Sequence, residues 1–276
     1  MNKIAVVDLG WGGLIFANDV YNNLSSYKNE GLEVIFIHMP IFKYNMSDDE
    51  KVKIFDAYLN DINKKFKPVV LVIACNTLAG LYKFTTFSNL FENKVINIID
   101  IVCGAIVRKY KEGDNVIILA SELTCRCNFY KNILIKKGIA PENITEIGLS
   151  GVASSIEKNL YSNYLNDEII NKIKEKFHLK KDRRNMIVLG CTHYEYIKRS
   201  FYLIPSLYGI DEYLFISGRQ EMLKCFKYEY PIKRKVITIY SYVAKCTDKI
   251  KGNLMKYYKE KSINMALENE RLLFID

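Results

Sequence analysis

The chain has 276 residues, enough for about two domains, and its apolar content of 49% is sufficient for each domain to build its own core. No apolar run approaches the roughly 18 residues of a membrane span, and the N-terminus enters a strand-like segment instead of a signal peptide, so we expect a cytoplasmic protein with no membrane partner. The formal charge of +9 comes mainly from lysines spread along polar faces, without a recognised nucleic-acid-binding module, and nucleic acid is not expected as a partner.

The first half of the chain alternates strand and helix patterns. A predicted strand over residues 3–8 ends in Asp8 and is followed by a glycine-rich turn that opens a helix. A second helix is predicted over residues 47–65, with Ser47 as its N-cap, because acidic residues fill the first turn after it. The other strands of this half are predicted over residues 33–38 and 68–74.

The second half repeats this alternation, which is typical of a mainly parallel α/β sheet. The predicted strands cover residues 94–101, 115–120, 143–148 and 185–190, and the predicted helices cover residues 102–110, 124–137 and 154–178. The C-terminal segment has helix patterns over 195–201, 218–228 and from about 247, and strand patterns over 213–216 and 236–240. These are too few for a third domain, so the segment is expected to pack on one of the other two. Since no low-complexity linker is present, the boundaries are predicted in short connections, near residues 91–93 and near Pro205.

Two cysteines end apolar runs that resemble each other. Residues 72–77 read Val-Ile-Ala-Cys-Asn-Thr, and residues 188–193 read Val-Leu-Gly-Cys-Thr-His. A buried parallel strand of this kind delivers Cys75 or Cys191 to the carboxyl edge of a sheet, where α/β proteins bind ligands. Because the two lie in different halves of the chain, each can belong to its own α/β unit and face the other across a cleft. Two opposed thiols suit a reaction in which one removes a proton from a carbon and the other returns one.

The remaining thiols and the glycine-rich turn are given structural interpretations. Seven cysteines without the spacing of a disulfide framework fit a reducing compartment. Cys125 and Cys127 are separated by one residue, which is not a common zinc spacing, and the histidines are scattered, so no metal site is expected. The turn over residues 10–13 lacks the spacing of either nucleotide-binding loop and only needs to let the backbone approach a small ligand.

Five segments, in this order, resemble the signature segments of the cofactor-independent aspartate/glutamate racemase superfamily, and of glutamate racemase in particular. They are Asp-Leu-Gly-Trp-Gly-Gly-Leu (8–14), Lys-Tyr-Asn-Met-Ser (43–47), Ala-Cys-Asn-Thr (74–77), Gly-Cys-Thr-His-Tyr (190–194) and Phe-Ile-Ser-Gly (215–218). Each alone is a weak signal. The two cysteine motifs together with an acid-terminated first strand are specific in combination.

The resemblance implies two pseudo-symmetric α/β domains with mainly parallel sheets and an active site in the cleft between them. The first domain would comprise residues 1–93 together with 206–276, and the second residues 94–205. It implies a bacterial isomerase that uses neither cofactor nor metal, racemises a small amino acid, with glutamate first and aspartate second, and supplies a D-amino acid for peptidoglycan. A homodimer is compatible with it.

The implied mechanism gives roles to the neighbours of the two cysteines. A thiol needs a suitable environment to act as a base, and we assign His193 as the partner of Cys191 and Asp8 as the partner of Cys75. Amide and hydroxyl groups would hold the head group of the amino acid, and the residues predicted to bind substrate are Tyr44, Asn45, Asn76, Thr77, Ser121, Thr124 and Thr192.

Departures from the family pattern fall on the residues that would recognise substrate. Leu9 replaces a serine that contacts substrate, and Lys-Tyr-Asn over residues 43–45 replaces Pro-Tyr-Gly. Leu149 stands where a glutamate that assists the second cysteine is expected, and neither Glu146 nor Glu157 can be assigned to that role from the sequence. Two alternatives stay open: a superfamily member with another small-acid substrate or isomerase chemistry, and a catalytically weak homologue with a binding or regulatory role.

Overall fold

The computed structural model describes residues 2–23, 30–42, 45–158, 171, 179–226, 232–241 and 273–274. Within these residues the strands are β1 (Asn2–Asp8), β2 (Glu30–His38), β3 (Val70–Ile73), β4 (Lys94–Asn97), β5 (Asn115–Ala120), β6 (Ile144–Gly148), β7 (Asn185–Gly190), β8 (Tyr213–Ser217), β9 (Ile232–Ser241) and β10 (Leu273–Phe274). The α-helices are α1 (Gly12–Asn23), α2 (Asp48–Phe66), α3 (Asn76–Tyr82), α4 (Phe87–Leu90), α5 (Ile98–Lys109), α6 (Glu122–Arg126), α7 (Phe129–Lys136), α8 (Val152–Lys158), α9 (Lys198–Leu207) and α10 (Gly218–Leu223). A 3-10 helix, Thr192–Ile197, follows β7.

The strands form two sheets in which every pairing is parallel. One sheet has the order β10-β9-β2-β1-β3-β4, and the other has the order β6-β5-β7-β8. The chain divides into two compact units that match these sheets, residues 1–98 with 222–276 and residues 99–221. The predicted α/β class with mainly parallel sheets is confirmed.

The same strand order occurs in both units. Four strands of the first unit lie in the order β2-β1-β3-β4, and the four strands of the second lie in the order β6-β5-β7-β8. If these four strands are numbered 1 to 4 along the chain in each unit, both sheets have the strand order 2-1-3-4. In each unit the third strand is the one followed by a cysteine of the predicted pair, so Cys75 and Cys191 occupy equivalent places in a repeated topology.

The two units divide at different residues from those predicted. The resemblance places residues 94–97 in the second domain, but they form β4, which pairs with β3 at the edge of the first sheet. It places residues 206–221 in the first domain, but they include β8, which pairs with β7 in the second sheet. Pro205, expected in a connection, is buried inside α9. The sequence could not show this, because strand partners are chosen by contacts between distant residues.

Two predicted elements have different limits in the structure. The strand predicted over residues 94–101 ends at Asn97, and α5 begins at Ile98. Its buried residues recur with the period of a helix, whereas their β-branched side chains had favoured a strand. The helix predicted over 124–137 is broken into α6 and α7 at Asn128, whose φ of 49° lies in the left-handed region that Asn tolerates.

The second helix begins as predicted. Ser47 is the N-cap of α2, and its Oγ accepts a hydrogen bond of 3.2 Å from the backbone N–H of Glu50. The Glu50 carboxylate accepts in return from the backbone N–H of Ser47 at 2.7 Å, which completes a capping box. Asp48 and Asp49 lie in the same turn, where negative charge interacts favourably with the helix dipole.

One hydrophobic cluster of the second unit lies between one face of its sheet and three helical segments. Side chains of β5, β6 and β7 pack there against α8, the 3-10 helix and α9, and the largest buried members include Tyr194 and Phe201. None of the helices in the described part of the chain has the length and apolar content needed to cross a bilayer. Most of the helix predicted over 154–178, and the helix predicted from about 247, lie outside the described residues.

Gly13 in α1 provides a test of the packing around Asp8. A Cβ atom at Gly13 would lie 2.8 Å from Asp8 Oδ2 and 3.2 Å from Phe36 Cε2, so Gly13→Ala forces the first sheet and α1 apart. We expect the free energy of unfolding to fall by about 1–3 kcal/mol, because overpacked cores lose stability on this scale. Chemical denaturation measures the change.

Gly104→Ala is the matched control for this substitution. Gly104 lies in α5, and a Cβ atom there would meet only the flexible end of the Arg108 side chain, at 3.3 Å. Alanine favours a helix by up to about 1 kcal/mol over glycine, so this variant should be as stable as the parent or slightly more stable. Equal stability of the two variants would contradict the packing argument.

Candidate active site

Asp8 lies at the carboxyl edge of the first sheet, as the last residue of β1. The residue is buried, with 1% of its surface exposed, and its Oδ1 accepts a hydrogen bond of 3.1 Å from the backbone N–H of Gly10. The space that the carboxylate occupies beside α1 exists because Gly13 has no side chain. The close approach that Gly13 allows is to Asp8, and the predicted approach of this turn to a small ligand stays a prediction.

Cys75 lies at the same edge, between β3 and α3. Val7 pairs with Ile73, and the backbone N–H of Ala74 donates to the carbonyl of Val7 at 3.1 Å. Asp8 therefore ends one strand, and Cys75 lies two residues beyond the end of the neighbouring strand that is hydrogen-bonded to it. Cys75 is buried, has an extended backbone and is the N-cap residue of α3, whose first residues are Asn76 and Thr77.

The predicted substrate-binding residues of the first unit lie in two places. Asn76 and Thr77 are both buried directly after Cys75, at the start of α3. Asn45 lies in an exposed turn that precedes the N-cap of α2. Tyr44 falls outside the described residues, and its predicted contact with substrate stays a prediction.

Two aromatic side chains occupy the edge beside Asp8, and sequence reasoning assigned neither to the site. His38 is the register partner of Asp8 at the end of β2, and its ring stacks on that of Trp11, with centroids 4.3 Å apart and planes at 27°. Both residues are buried. Their position in the sequence could have indicated them, because each lies at or just after the carboxyl end of a predicted strand.

In the second unit, Cys191 is the first member of a chain of polar contacts. It follows β7 directly, and its Sγ lies 3.7 Å from Nδ1 of His193. On the other side of the ring, Nε2 of His193 lies 2.6 Å from Oε1 of Glu157 in α8. The structure thus brings together the predicted pair Cys191 and His193 and adds Glu157 as a third group.

The environment of His193 favours its protonated form. Burial lowers the pKa of this imidazole, but the hydrogen bonds to Cys191 and Glu157 and their negative charges more than offset burial, so the pKa is raised well above its ordinary value. A carboxylate on Nε2 also fixes the orientation of the ring. A protonated imidazole beside a sulfur atom stabilises negative charge on that sulfur.

Glu157, and not Glu146, is the acid that contacts His193. Side chains alternate between the two faces of β6, and Ile147 packs on the face that carries α8. Glu146 therefore points to the opposite face, where burial raises the pKa of its carboxyl group to about 7. The sequence left the two glutamates unresolved because α8 reaches His193 only through the tertiary structure.

Hydroxyl groups gather near Cys191 at the edge of the second sheet. Ala120 and Gly190 are register partners, so Ser121 and Cys191 follow adjacent strand ends. Ser121 is the N-cap of α6, with its Oγ 2.9 Å from Oγ1 of the fully buried Thr124. Thr192, also buried, comes directly after Cys191. The predicted binding residues Ser121, Thr124 and Thr192 therefore lie at the same edge of the second sheet as Cys191.

Two other thiols, those of Cys103 and Cys125, have environments that favour the protonated form. Burial raises the pKa of Cys103 far above its usual range, and it raises the pKa of Cys125 to about 12. Cys225 is partly buried, and Cys246 lies outside the described residues.

Among the residues that the structure describes, no group of three or more His, Cys, Asp or Glu side chains is arranged to hold a metal ion.

Known proteins resemble this chain in sequence and in fold. No protein-family model matches it. The glutamate racemase of Staphylococcus epidermidis is 29% identical over 208 residues, which cover 73% of this chain and 73% of that protein. Among solved structures, glutamate racemase from Campylobacter jejuni subsp. jejuni has a TM-score of 0.71 at 18% identity, over 93% of this chain and 98% of that one. Glutamate racemase from Francisella tularensis subsp. tularensis, in complex with D-glutamate, has a TM-score of 0.70 at 19% identity, over 94% of each chain.

The contact between Glu157 and His193 can be tested by titration. Glu157→Gln removes the carboxylate that stabilises the imidazolium, so the pKa of His193 is expected to fall. A raised pKa adds stability that is complete below the ordinary histidine value of about 6.5 and is lost as the pH rises through the folded-state value. The variant should therefore lose stability, of the order of 1 kcal/mol, at the acidic end of this range and little at its alkaline end.

NMR titration of the imidazole and thermal unfolding at several pH values measure these two effects. Glu142→Gln is the control, since Glu142 is an exposed glutamate of the same unit. An unchanged His193 titration in Glu157→Gln would show that the carboxylate does not set the protonation of the ring.

Proposed function

Because the chain belongs to the aspartate/glutamate racemase superfamily and is an amino-acid racemase, we propose that it interconverts the enantiomers of an acidic amino acid with Cys75 and Cys191 as the proton-transfer groups. Glutamate is the first candidate substrate and aspartate the second. The observation that carries the proposal is the chain of contacts from Cys191 through His193 to Glu157. Such a chain supplies a thiol with a partner that can stabilise its anion.

The proposed reaction needs one thiolate and one thiol, on opposite sides of the α-carbon. The thiolate takes the α-proton, the C–H bond breaks, and its electron pair stays on the substrate as a planar carbanion. The opposite thiol then gives its proton to the other face, which inverts the configuration and leaves a thiolate on that side. One cysteine is thereby protonated and the other deprotonated, and the reverse reaction restores the starting state.

The two cysteines have different supporting groups. When Cys191 becomes a thiolate, the protonated His193 stabilises the charge, and Glu157 stabilises the imidazolium in turn. In the first unit, Asp8 at the neighbouring strand end is proposed as the partner of Cys75. Proton transfer at Cys75 would then be assisted by a carboxylate instead of an imidazole. Asn76, Thr77, Ser121, Thr124 and Thr192 supply amide and hydroxyl groups for the amino and carboxylate groups of the substrate.

Glutamate is preferred as substrate by analogy with relatives. The Francisella protein was solved with D-glutamate, and the Staphylococcus relative is a glutamate racemase. Leu9 works against this preference, because an apolar side chain cannot donate the hydrogen bond that the family's serine makes. The stacked Trp11 and His38 lie at the same strand edge. The specificity of this chain is therefore proposed to differ in degree from that of its relatives.

Removal of either sulfur should stop racemisation. Cys75→Ser and Cys191→Ser are each expected to lower kcat by at least about 100-fold, because a positioned acid or base contributes 10²–10⁴-fold and a hydroxyl is too weak an acid to replace a thiol. Polarimetry measures racemisation, and NMR in D2O measures exchange of the α-proton from each enantiomer. One-sided exchange can survive in a single variant.

The control for these variants is Cys225→Ser, which makes the same change at a partly buried cysteine outside the proposed site. It should retain the parental rate. If Cys75→Ser and Cys191→Ser racemise as fast as the parent, the two-cysteine mechanism is wrong, and a binding or regulatory role becomes the better account of the chain.

Leu9→Ser should improve the use of glutamate. A restored hydrogen bond is worth about 0.5–1.5 kcal/mol, so the KM for glutamate is expected to fall by about 2–10-fold with little change in kcat. Both enantiomers of the common amino acids should be assayed with the parent and the variant. A parent that already strongly prefers glutamate at low concentration, and a variant that does not differ from it, would show that Leu9 has no part in recognition.

A further inference from the structure

The 3-10 helix that carries His193 is attached to the strands on both sides of β7. On one side, the hydroxyl of Tyr194 donates to the carbonyl of Ala120, the last residue of β5, at 3.1 Å. On the other side, the hydroxyl of Ser217, the last residue of β8, donates to Oε1 of Glu195. Since β7 lies between β5 and β8, the segment after Cys191 is held across the width of three strands.

The contact between Ser217 and Glu195 is almost completely shielded from water. Glu195 is 5% exposed and Ser217 is 3% exposed. Burial of a carboxylate is costly unless hydrogen bonds compensate it, and a bond to a charged acceptor is stronger than one between neutral groups. A carboxylate kept at this position is therefore tied firmly to its donor.

Ser217 is itself fixed by two other interactions. Leu189 and Ser217 are register partners, so the serine is held beside the end of β7. Its Oγ also accepts a hydrogen bond of 3.2 Å from the backbone N–H of Gln220 in the first turn of α10. Because the oxygen accepts from α10, its proton is available for Glu195, and the direction of the bond is set.

We propose that Glu195 and Ser217 are positioning residues for the Cys191–His193 pair, an inference that rests on the proposed function. Neither residue is placed in contact with the reacting atoms. Their bond fixes the orientation of the 3-10 helix, in which Glu195 comes two residues after His193. Without it, the 3-10 helix would lose its hydrogen bond to the end of β8 while keeping the one to β5, and His193 Nδ1 would no longer be held at 3.7 Å from Cys191 Sγ.

Three substitutions distinguish the effect of losing the hydrogen bond from the effect of changing the shape of a side chain. Ser217→Ala removes the donor. Glu195→Leu removes the acceptor and leaves the contact between Ser217 and Gln220 intact. Glu195→Gln keeps an oxygen that can accept from Ser217, so it should rescue whatever Glu195→Leu loses. Ser200→Ala is the matched control, since Ser200 is a serine of the same unit that is 4% exposed.

The first measurement is the kinetics of racemisation. Ser217→Ala and Glu195→Leu are expected to lower kcat by about 10–100-fold, the range produced by displacement of a reacting group, with KM within about threefold of the parent. Glu195→Gln and Ser200→Ala should stay within about threefold of the parental kcat. The thermal midpoint of each variant shows that the fold is retained.

The second measurement is alkylation by iodoacetamide, followed peptide by peptide by mass spectrometry. Cys75 belongs to the other unit and serves as the internal reference in every sample. The ratio of Cys191 to Cys75 alkylation should fall by at least about threefold in Ser217→Ala and Glu195→Leu, because a displaced His193 no longer supports the Cys191 anion. A purely structural role would leave this ratio unchanged in a folded variant.

The outcomes are decisive in either direction. Folded Ser217→Ala and Glu195→Leu proteins with parental kcat and a parental alkylation ratio overturn the proposal, and so does a Glu195→Gln protein as impaired as Glu195→Leu. If Ser217→Ala does not fold, Glu195→Leu decides the question with the contact to α10 intact. If the parent racemises no amino acid, the proposed function fails, and the alkylation ratio still judges the positioning role of Glu195 and Ser217.

Discussion

Parallel pairing of β1 with β3, and of β5 with β7, is the constraint on which both halves of the candidate site depend. Strands that run in the same direction end at the same edge, so residues far apart in the chain become neighbours there. In this way Asp8 meets the end of the strand before Cys75, and Ser121 meets Cys191. A slip of one residue in either pairing would turn these side chains to the opposite face of the sheet. The apolar strands, buried on both faces, specify the register.

Three buried polar side chains at these edges, Asp8, His193 and Glu195, are each compensated in a different way. Asp8 accepts from the backbone of Gly10 in a space left by a glycine. His193 lies between a thiol and a carboxylate, whose combined effect exceeds the cost of burial and raises its pKa. Glu195 is held by a serine that is itself anchored to the next helix. Compensation of this kind fixes side-chain orientation, which the proposed proton transfer requires.

The repeated strand order does not make the two units chemically equal. In the second unit an imidazole and a carboxylate follow the cysteine in a chain of contacts, whereas in the first unit Asp8 and the stacked Trp11–His38 pair lie at the same sheet edge as the cysteine. A shared topology thus supplies equivalent positions, and the residues at those positions decide what each unit does. Solved structures at 18–19% identity establish the fold alone, so the argument for function depends on these side chains.

Local periodicity and residues a few positions apart were enough to predict the alternation of elements, the parallel α/β class, the cap at Ser47 and the two strand-end cysteines. The sequence placed His193 correctly near Cys191 for the same reason. Three features could be found only from long-range packing: β4 and β8 belong to the sheets that they complete, Glu157 and not Glu146 contacts His193, and Ser217 donates a hydrogen bond to Glu195. Each of these depends on which distant segments pack together, and the periodicity of a single segment carries no information about its partners.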